Sequence, residues 1–563
     1  MTCGNEILSE DTYEFILTED EKEIVPAEPI CISRVSDEYS VRYYQRKELP
    51  DVSVTEFSYP SIPKCYSLLN TLSLEVSGIL KMQNIPTLSL KGQGVFVAVI
   101  DTGIAYADPV FLTSDKKSRI FSIWDQTAET KEEAEDQPLY GRIYSRNEIN
   151  DALSNENPYQ VIPNLDTDGH GTFLASVAAG SEDISGDFIG AAPEAELLIV
   201  RLKPAKQYLK TYYYIPNDRL VFAESDIMNG IAYAEKEARK QDKPLVIFLG
   251  LGTNNGSHTG TGPLCEYLDQ IGVLRHRAVV TALGNEANAR HHFFGQTTSV
   301  LSPRKVEINV EKDMSGFYAE LWALAPERVS ISVQSPTGEV LLRMIPISAT
   351  RQTIRFVFEE TLLSVEYRES GKGRRDQLIL LRFSNAKAGI WTILVYPESA
   401  ITGQFHIWLP MRDQLEQEVF FLESNPDTTL TSPSDSQVSM SVGAYRASDS
   451  TIYFDSSRGY EANGVIKPDF LAPGVEVSGK GLRENFITGT GTSASAAITA
   501  GACAQVLEWA VTQKNAIGIN SLDIQNLFIR GGIRNPNLTY PSKEYGYGRL
   551  DVYQAFETIR QTP

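Results

Sequence analysis

The chain has 563 residues, with 51 Lys and Arg against 72 Asp and Glu, a net charge of −21. Hydrophobic residues make up 42% and aromatics 10%, enough for a sizeable core, which excludes a disordered tail protein. That acidity argues against a duplex nucleic acid, whose counterions only a basic surface displaces, and against adhesion to an anionic membrane. The five cysteines, Cys3, Cys31, Cys65, Cys265 and Cys503, are odd in number and widely spaced, with no C-x-x-C pair. Buried free thiols are therefore expected rather than a disulfide framework or a zinc knuckle. The N-terminus shows no basic region followed by an apolar stretch, so no secretory signal is expected, and synthesis in the cytosol without evident export is expected. Apolar runs such as Val95–Ile100 fall far short of a membrane span.

In chain order, residues 1–69 are acidic and strand-like, with ICISRV and YSVRYY reading as strands by their β-branched and aromatic content. Leu74–Leu80 reads as a short helix. Val95–Ile100 is an apolar run of the kind that a parallel strand buried on both faces requires. Further strands are expected at Leu197–Val200, Leu245–Leu249 and Ala278–Leu283. Between the first two of these lies Ala223–Lys240, whose Ile227, Ile231, Ala234 and Ala238 recur at helical spacing. Strand, helix, strand in that order implies βαβ units and a parallel sheet.

From about Phe294 to Pro410 the pattern changes to short alternating segments. These are Val306–Val310, Phe317–Leu321, Val329–Val333, Ile354–Phe358, Leu378–Phe383, Trp391–Tyr396 and Phe405–Leu409. They read as an antiparallel sandwich or jelly roll. The α/β pattern returns after Ser432, with a strand at Val438–Val442 and a helix at Ala494–Glu508. The expected organisation is an N-terminal segment at 1–69 and an α/β domain split into 70–294 and 413–563. An all-β domain at 295–412 is inserted between the two parts.

Three short segments carry chemistry. Val99-Ile100-Asp101-Thr102-Gly103 sets an acid at the carboxyl end of a buried strand, where open parallel sheets place their sites. Asp168-Gly169-His170-Gly171-Thr172 flanks an imidazole with glycines, which leave it uncrowded at a helix start. Gly489-Thr490-Gly491-Thr492-Ser493-Ala494 exposes a hydroxyl in the first turn of a helix, where backbone N–H groups are free to donate. Each alone has a bland reading: a turn-capping Asp, a structural His, an N-cap Ser. Together, in the order Asp, His, Ser, they resemble the D-T-G, H-G-T and G-T-S-x-A motifs of the subtilisin-like serine proteases, or subtilases. Thr281-Ala282-Leu283-Gly284-Asn285-Glu286 resembles that family's G-N-E segment. Lys467–Gly474 resembles its A-P-G segment. The resemblance covers about 70–290 and 432–510.

What the resemblance implies is a subtilisin-like α/β fold and a serine endopeptidase with no cofactor and no metal assigned. Asp101, His170 and Ser493 would be the catalytic triad, and Asn285 would donate to the oxyanion. Gly250, Leu251, Gly252 and Gly284 would line the substrate. A hydroxyl is a poor nucleophile at neutral pH without an adjacent base, which is why these residue types must meet. H-E-x-x-H is absent and Ser493 lies in no G-x-S-x-G, so neither a zinc metalloprotease nor an α/β-hydrolase is indicated.

Two departures narrow the resemblance. Asn285 and Ser493 lie 208 residues apart, far more than is usual, and the excess is the inserted all-β domain. The proline usual after the nucleophile is replaced by Ala497. Together with Gly250–Gly256, these features are similar to the clostridial Csp germination proteases, which activate a cortex-lytic enzyme in spores. The alternative to the endopeptidase is a Csp-like spore germination signalling protein or pseudoprotease-type binding module, and the expected location is cytoplasmic or spore-associated, with non-classical release as a further route. Residues 1–69 resemble a small α+β prodomain that would occupy the cleft as an internal partner beside protein or peptide substrates. Ile62–Leu69 would thread it, and self-cleavage is expected between about residues 64 and 72.

Overall fold

A computed structural model describes residues 7–18, 25–68, 77–129, 138–183, 188–345, 350–370, 375–399, 401–482 and 485–560. At its centre is a nine-stranded sheet. The Phe96–Asp101 strand pairs in parallel with Glu196–Arg201 on one side and Leu245–Leu249 on the other. Parallel pairing continues outward through Arg277–Ala282, Met440–Arg446 and Phe470–Lys480, and on the other side to Ile120–Asp125. An antiparallel strand closes each edge, Phe486–Thr490 and Arg142–Ser145.

Side chains on a strand alternate between faces, and here both faces are buried. Val97 and Val99 enter one core with the helices His170–Ala179 and Thr492–Leu507. Phe96, Ala98 and Ile100 enter a second core with Ile227, Ile231 and Ala234 of the Glu224–Lys240 helix. The Thr492–Leu507 helix is buried on every side, which is why it reads as apolar all round. With its continuation to Thr512 it is long and apolar enough to cross a membrane, contrary to the expectation from the apolar runs, but 89% of its apolar window is buried inside the fold.

The all-β region forms two antiparallel sheets around one shared core. One holds His292–Gln296, Gln404–Trp408, Met314–Ala323, Asp376–Ala386, Leu362–Ser370 and Thr350–Arg355. The other holds Arg328–Gln334, Gly389–Ser399, Arg304–Val310 and Val419–Phe421. Phe317, Leu381 and Phe383 of the first meet Ile308, Ile331 and Trp391 of the second. The expected strand at Ile354–Phe358 lies earlier, at Thr350–Arg355, and leaves Val357 and Phe358 exposed. The short helix expected at Leu74–Leu80 begins only at Ile79 and runs to Asn84; residues 74–76 lie outside the described residues.

In the N-terminal segment, Thr12–Thr18, Tyr39–Gln45 and Cys31–Arg34 form a three-stranded antiparallel sheet. Cys31 is disulfide-bonded, which corrects the expectation of free thiols throughout; Cys65, Cys265 and Cys503 are free and buried. A further core joins three regions: Phe15, Phe57 and Tyr59 of this segment, Tyr208 and Tyr213 of the α/β part, and Tyr318, Trp322 and Trp408 of the insertion.

Where the insertion meets the α/β part, His258 stacks on Trp408 at 4.0 Å between ring centres. His292 and His406 stack on the same indole, joined by a 2.9 Å hydrogen bond from ring to ring. Burial, with the neighbouring imidazoles, drives the His406 pKa down to about 3 and lowers that of His292. Both folded values lie below the unfolded one of about 6.5, so the unfolded chain takes up protons first. Stability present above that pH is therefore lost progressively on acidification towards pH 3. The melting temperature is expected to fall between pH 7 and pH 4, and less steeply in a His406→Asn chain; equal slopes would refute this origin.

Candidate active site

The aligned carboxyl ends of the central parallel strands gather the predicted residues. Asp101 ends its strand and is 1% exposed. Its Oδ1 lies 2.8 Å from His170 Nδ1 and also accepts the Thr102 N–H at 2.7 Å. Gly103 turns the chain at φ +123°, and a Cβ there would sit 1.8 Å from the Leu165 carbonyl oxygen, so the D-T-G turn admits only glycine.

His170 opens the His170–Ala179 helix. A residue that the motif reading missed, Asp166, ties its loop to that of Asp101. Asp166 Oδ1 accepts from Thr102 Oγ1 at 3.0 Å and from the Gly169 N–H at 2.8 Å. Its Oδ2 accepts from the Thr172 N–H at 2.9 Å and from Thr172 Oγ1 at 2.6 Å. Thr102 Oγ1 in turn accepts the Gly171 N–H at 2.8 Å. One fully buried carboxylate thus sets the acid's turn against the start of the imidazole's helix. Asp168, between the two, has its carboxyl pKa raised by burial.

Ser493 is the second residue of the Thr492–Leu507 helix and fully buried. Its Oγ makes no hydrogen bond, so the serine-to-imidazole link of the expected row is not formed in this structure. Placement is nevertheless tight. A Cβ added at Gly250 would lie 3.2 Å from Ser493 Cβ and 2.8 Å from Cδ1 of Leu174, one helical turn after His170. Gly250 therefore touches both the serine and the histidine's helix.

Asn285 follows the Arg277–Ala282 strand, and its Oδ1 accepts the Thr492 N–H at 3.1 Å. That bond sets the orientation of the amide and leaves its NH2 group as a donor without a partner among the described residues. Thr492 Oγ1 also accepts the Gly284 N–H at 3.0 Å, binding the two loops a second time.

Leu251 and Gly252 form a short strand that pairs antiparallel with Cys65–Leu68 of the N-terminal segment, Leu251 opposite Leu68 and Gly252 opposite Ser67. On its other edge the Cys65–Leu68 strand pairs antiparallel with Phe222–Ala223, Cys65 opposite Ala223. Thr431 and Ser432 complete this region and were not foreseen. Ser432 exchanges two 2.9 Å backbone hydrogen bonds with Thr253. A Cβ at Gly284 would lie 2.6 Å from Thr431 Cγ2. These two residues sit beyond the insertion, so no local motif marks them.

A model of the subtilase family of S8 peptidases matches residues 92–333 and 416–548. The chain belongs to this family. In this subtilase, the unmatched stretch between the two blocks lies inside the two-sheet insertion. The structure of the Clostridium perfringens CspB protease is similar, with a TM-score of 0.77 and 26% identity, covering 86% of this chain and 97% of that one. Two C5a peptidases of Streptococcus pyogenes, of serotypes M6 and M18, are each 23% identical over 447 residues, 73% of this chain. Those 447 residues are 34% and 35% of their lengths, so the chain spans about a third of the curated relatives it matches.

Proposed function

We propose that this subtilase is a serine endopeptidase in which Ser493 attacks the scissile carbonyl. His170 takes the hydroxyl proton and returns it to the leaving amine, and Asp101 holds the imidazole tautomer and stabilises its cation. The Asn285 NH2 group and the Ser493 backbone N–H hold the developing oxyanion. The observation that carries this reading is the 2.8 Å bond between Asp101 and His170, with Gly250 packed against both the histidine's helix and Ser493. The serine link is open here, and such links tighten when substrate binds. A fluorophosphonate probe tests the reading. Labelling that requires Ser493 is expected, whereas a pseudoprotease or germination signalling module would stay unlabelled.

Pairing of Cys65–Leu68 between two strands beside Gly250 supports a second part of the reading, that the chain cuts its own N-terminal segment. Stepping one residue on from the Leu68–Leu251 pair reaches Gly250, which abuts Ser493. We place the cleaved bond at Leu69–Asn70, within the span of about residues 64 to 72 expected from the sequence; residues 69–72 lie outside the described residues. N-terminal sequencing of active protein is expected to read from Asn70. Full activity with only an intact Met1 start would refute self-cleavage.

A further inference from the structure

From the partners of Lys64 we infer that Glu224 forms an acidic subsite selecting Lys or Arg at the sixth residue before the cleaved bond. This rests on the reading that Cys65–Leu68 lies where substrate binds and that the cut follows Leu69. Counting back from Leu69, Lys64 is that sixth residue. Its place in the strand is fixed from both directions: the Glu224 N–H donates to the Lys64 carbonyl oxygen at 2.8 Å, and the Lys64 N–H donates to Glu224 Oε2 at 3.2 Å.

The charges meet as well. Lys64 Nζ lies 3.6 Å from Glu224 Oε2, with the two side chains 5% and 2% exposed. The carboxylate is aimed in advance, because its Oε1 accepts the Leu264 N–H at 3.2 Å in the first turn of the Pro263–Gly272 helix. The ammonium also donates to the carbonyl oxygens of Tyr59 and Pro60, at 3.0 and 3.3 Å, and lies 4.7 Å from the Tyr59 ring centre. A small cavity of about 30 Å³ opens beside the pair, lined by Asn255, Ser257, Trp322 and Ser432 among others. It has room for about one water and for the bulkier guanidinium of an arginine to replace it.

When the N-terminal segment leaves, its Lys64, Tyr59 and Pro60 leave with it. Glu224 stays, held by its own helix start and by Leu264. A buried carboxylate without a counter-charge favours a cation over a neutral or acidic group. Glu224 is thus a fixed charge that a substrate strand meets at this depth of the cleft; the buried Glu320 carboxylate behind the cavity keeps hydrogen bonds from Asn255 and Trp322.

The test uses the full-length chain, one portion titrated with the fluorophosphonate probe to count reactive sites and the unlabelled remainder assayed on peptides carrying residues 59–72. The position of Lys64 is varied to Arg, Gln and Glu. The Lys and Arg peptides are expected to give kcat/KM about tenfold above the Gln peptide, with the Glu peptide lowest. In Glu224→Gln, whose amide oxygen still accepts the Leu264 N–H, the Lys-to-Gln ratio is expected to fall below about twofold. A probe-reactive preparation whose unlabelled portion cleaves the four peptides alike, or keeps the preference in Glu224→Gln, overturns the subsite and leaves the proposed protease standing. A probe-reactive preparation whose unlabelled portion cleaves none overturns the subsite as well, since the cleft would then not take this strand from solution. Protein that neither labels nor cleaves overturns the protease reading and the subsite with it.

Discussion

A Ser493→Ala chain is expected to cleave no peptide bond above a small residue of activity, a loss of about 10⁶-fold in kcat, the scale found when subtilisin loses its nucleophile. It is also expected to fold at least as well as the parent. Ser493 is fully buried and its Oγ has no hydrogen-bond partner. Removing a buried hydroxyl that makes no bond takes away a desolvation cost and no interaction. Alanine is moreover the better helix former by a few tenths of a kcal/mol, and the site lies in the first turn of a helix. The melting temperature should therefore hold or rise slightly while turnover disappears. The same chain should keep its Met1 start, because it cannot cut Leu69–Asn70. Turnover within about tenfold of the parent would sink the assignment.

Asp101→Asn is expected to lower kcat about 10⁴-fold at neutral pH with the fold preserved. Asp101 Oδ1 serves two groups, the Thr102 N–H and His170 Nδ1. An asparagine with its oxygen at the Oδ1 position can still accept from both. It puts an NH2 group at the buried Oδ2 position, which has no partner among the described residues, and it brings no negative charge to stabilise the imidazolium that forms when His170 takes the Ser493 proton. Circular dichroism should match the parent, because Asp166 binds the two loops together whether or not Asp101 keeps its charge. Fluorophosphonate labelling should slow in parallel with kcat. A variant retaining more than about a tenth of parental turnover would show that His170 acts without this carboxylate.

How far the sequence could be read depends on the range of the interactions involved. The Phe96–Asp101 strand was plain because burial on both faces leaves an unbroken apolar run. The Glu224–Lys240 helix showed its period because one face meets solvent. The Leu362–Ser370 strand was missed because Glu366 and Arg368 interrupt its apolar run, although Leu363, Val365 and Tyr367 alternate into the core. Glu366 is itself buried, and the charges of Arg351 and Arg382, both on neighbouring strands, favour its ionised form against the burial that raises its carboxyl pKa. The disulfide at Cys31 escaped the cysteine count, since an odd number of cysteines does not say which of them pair.

The sequence by itself determined the chemistry at each corner of the site. It placed an acid at a strand end, an imidazole between glycines at a helix start, and a hydroxyl in the first turn of an alanine-rich helix. Those features are set by neighbours within a few positions, whose backbone demands are visible in the residue types. Only the tertiary structure decided which distant segments close the cleft. The Cys65–Leu68 strand between Leu251–Gly252 and Phe222–Ala223, Thr431 against Gly284, and Glu224 facing Lys64 all join residues more than a hundred positions apart. Such pairings follow from sheet register and from which surfaces pack together, and a single sequence records neither, because any strand edge or polar side chain can satisfy many partners until the fold leaves it one.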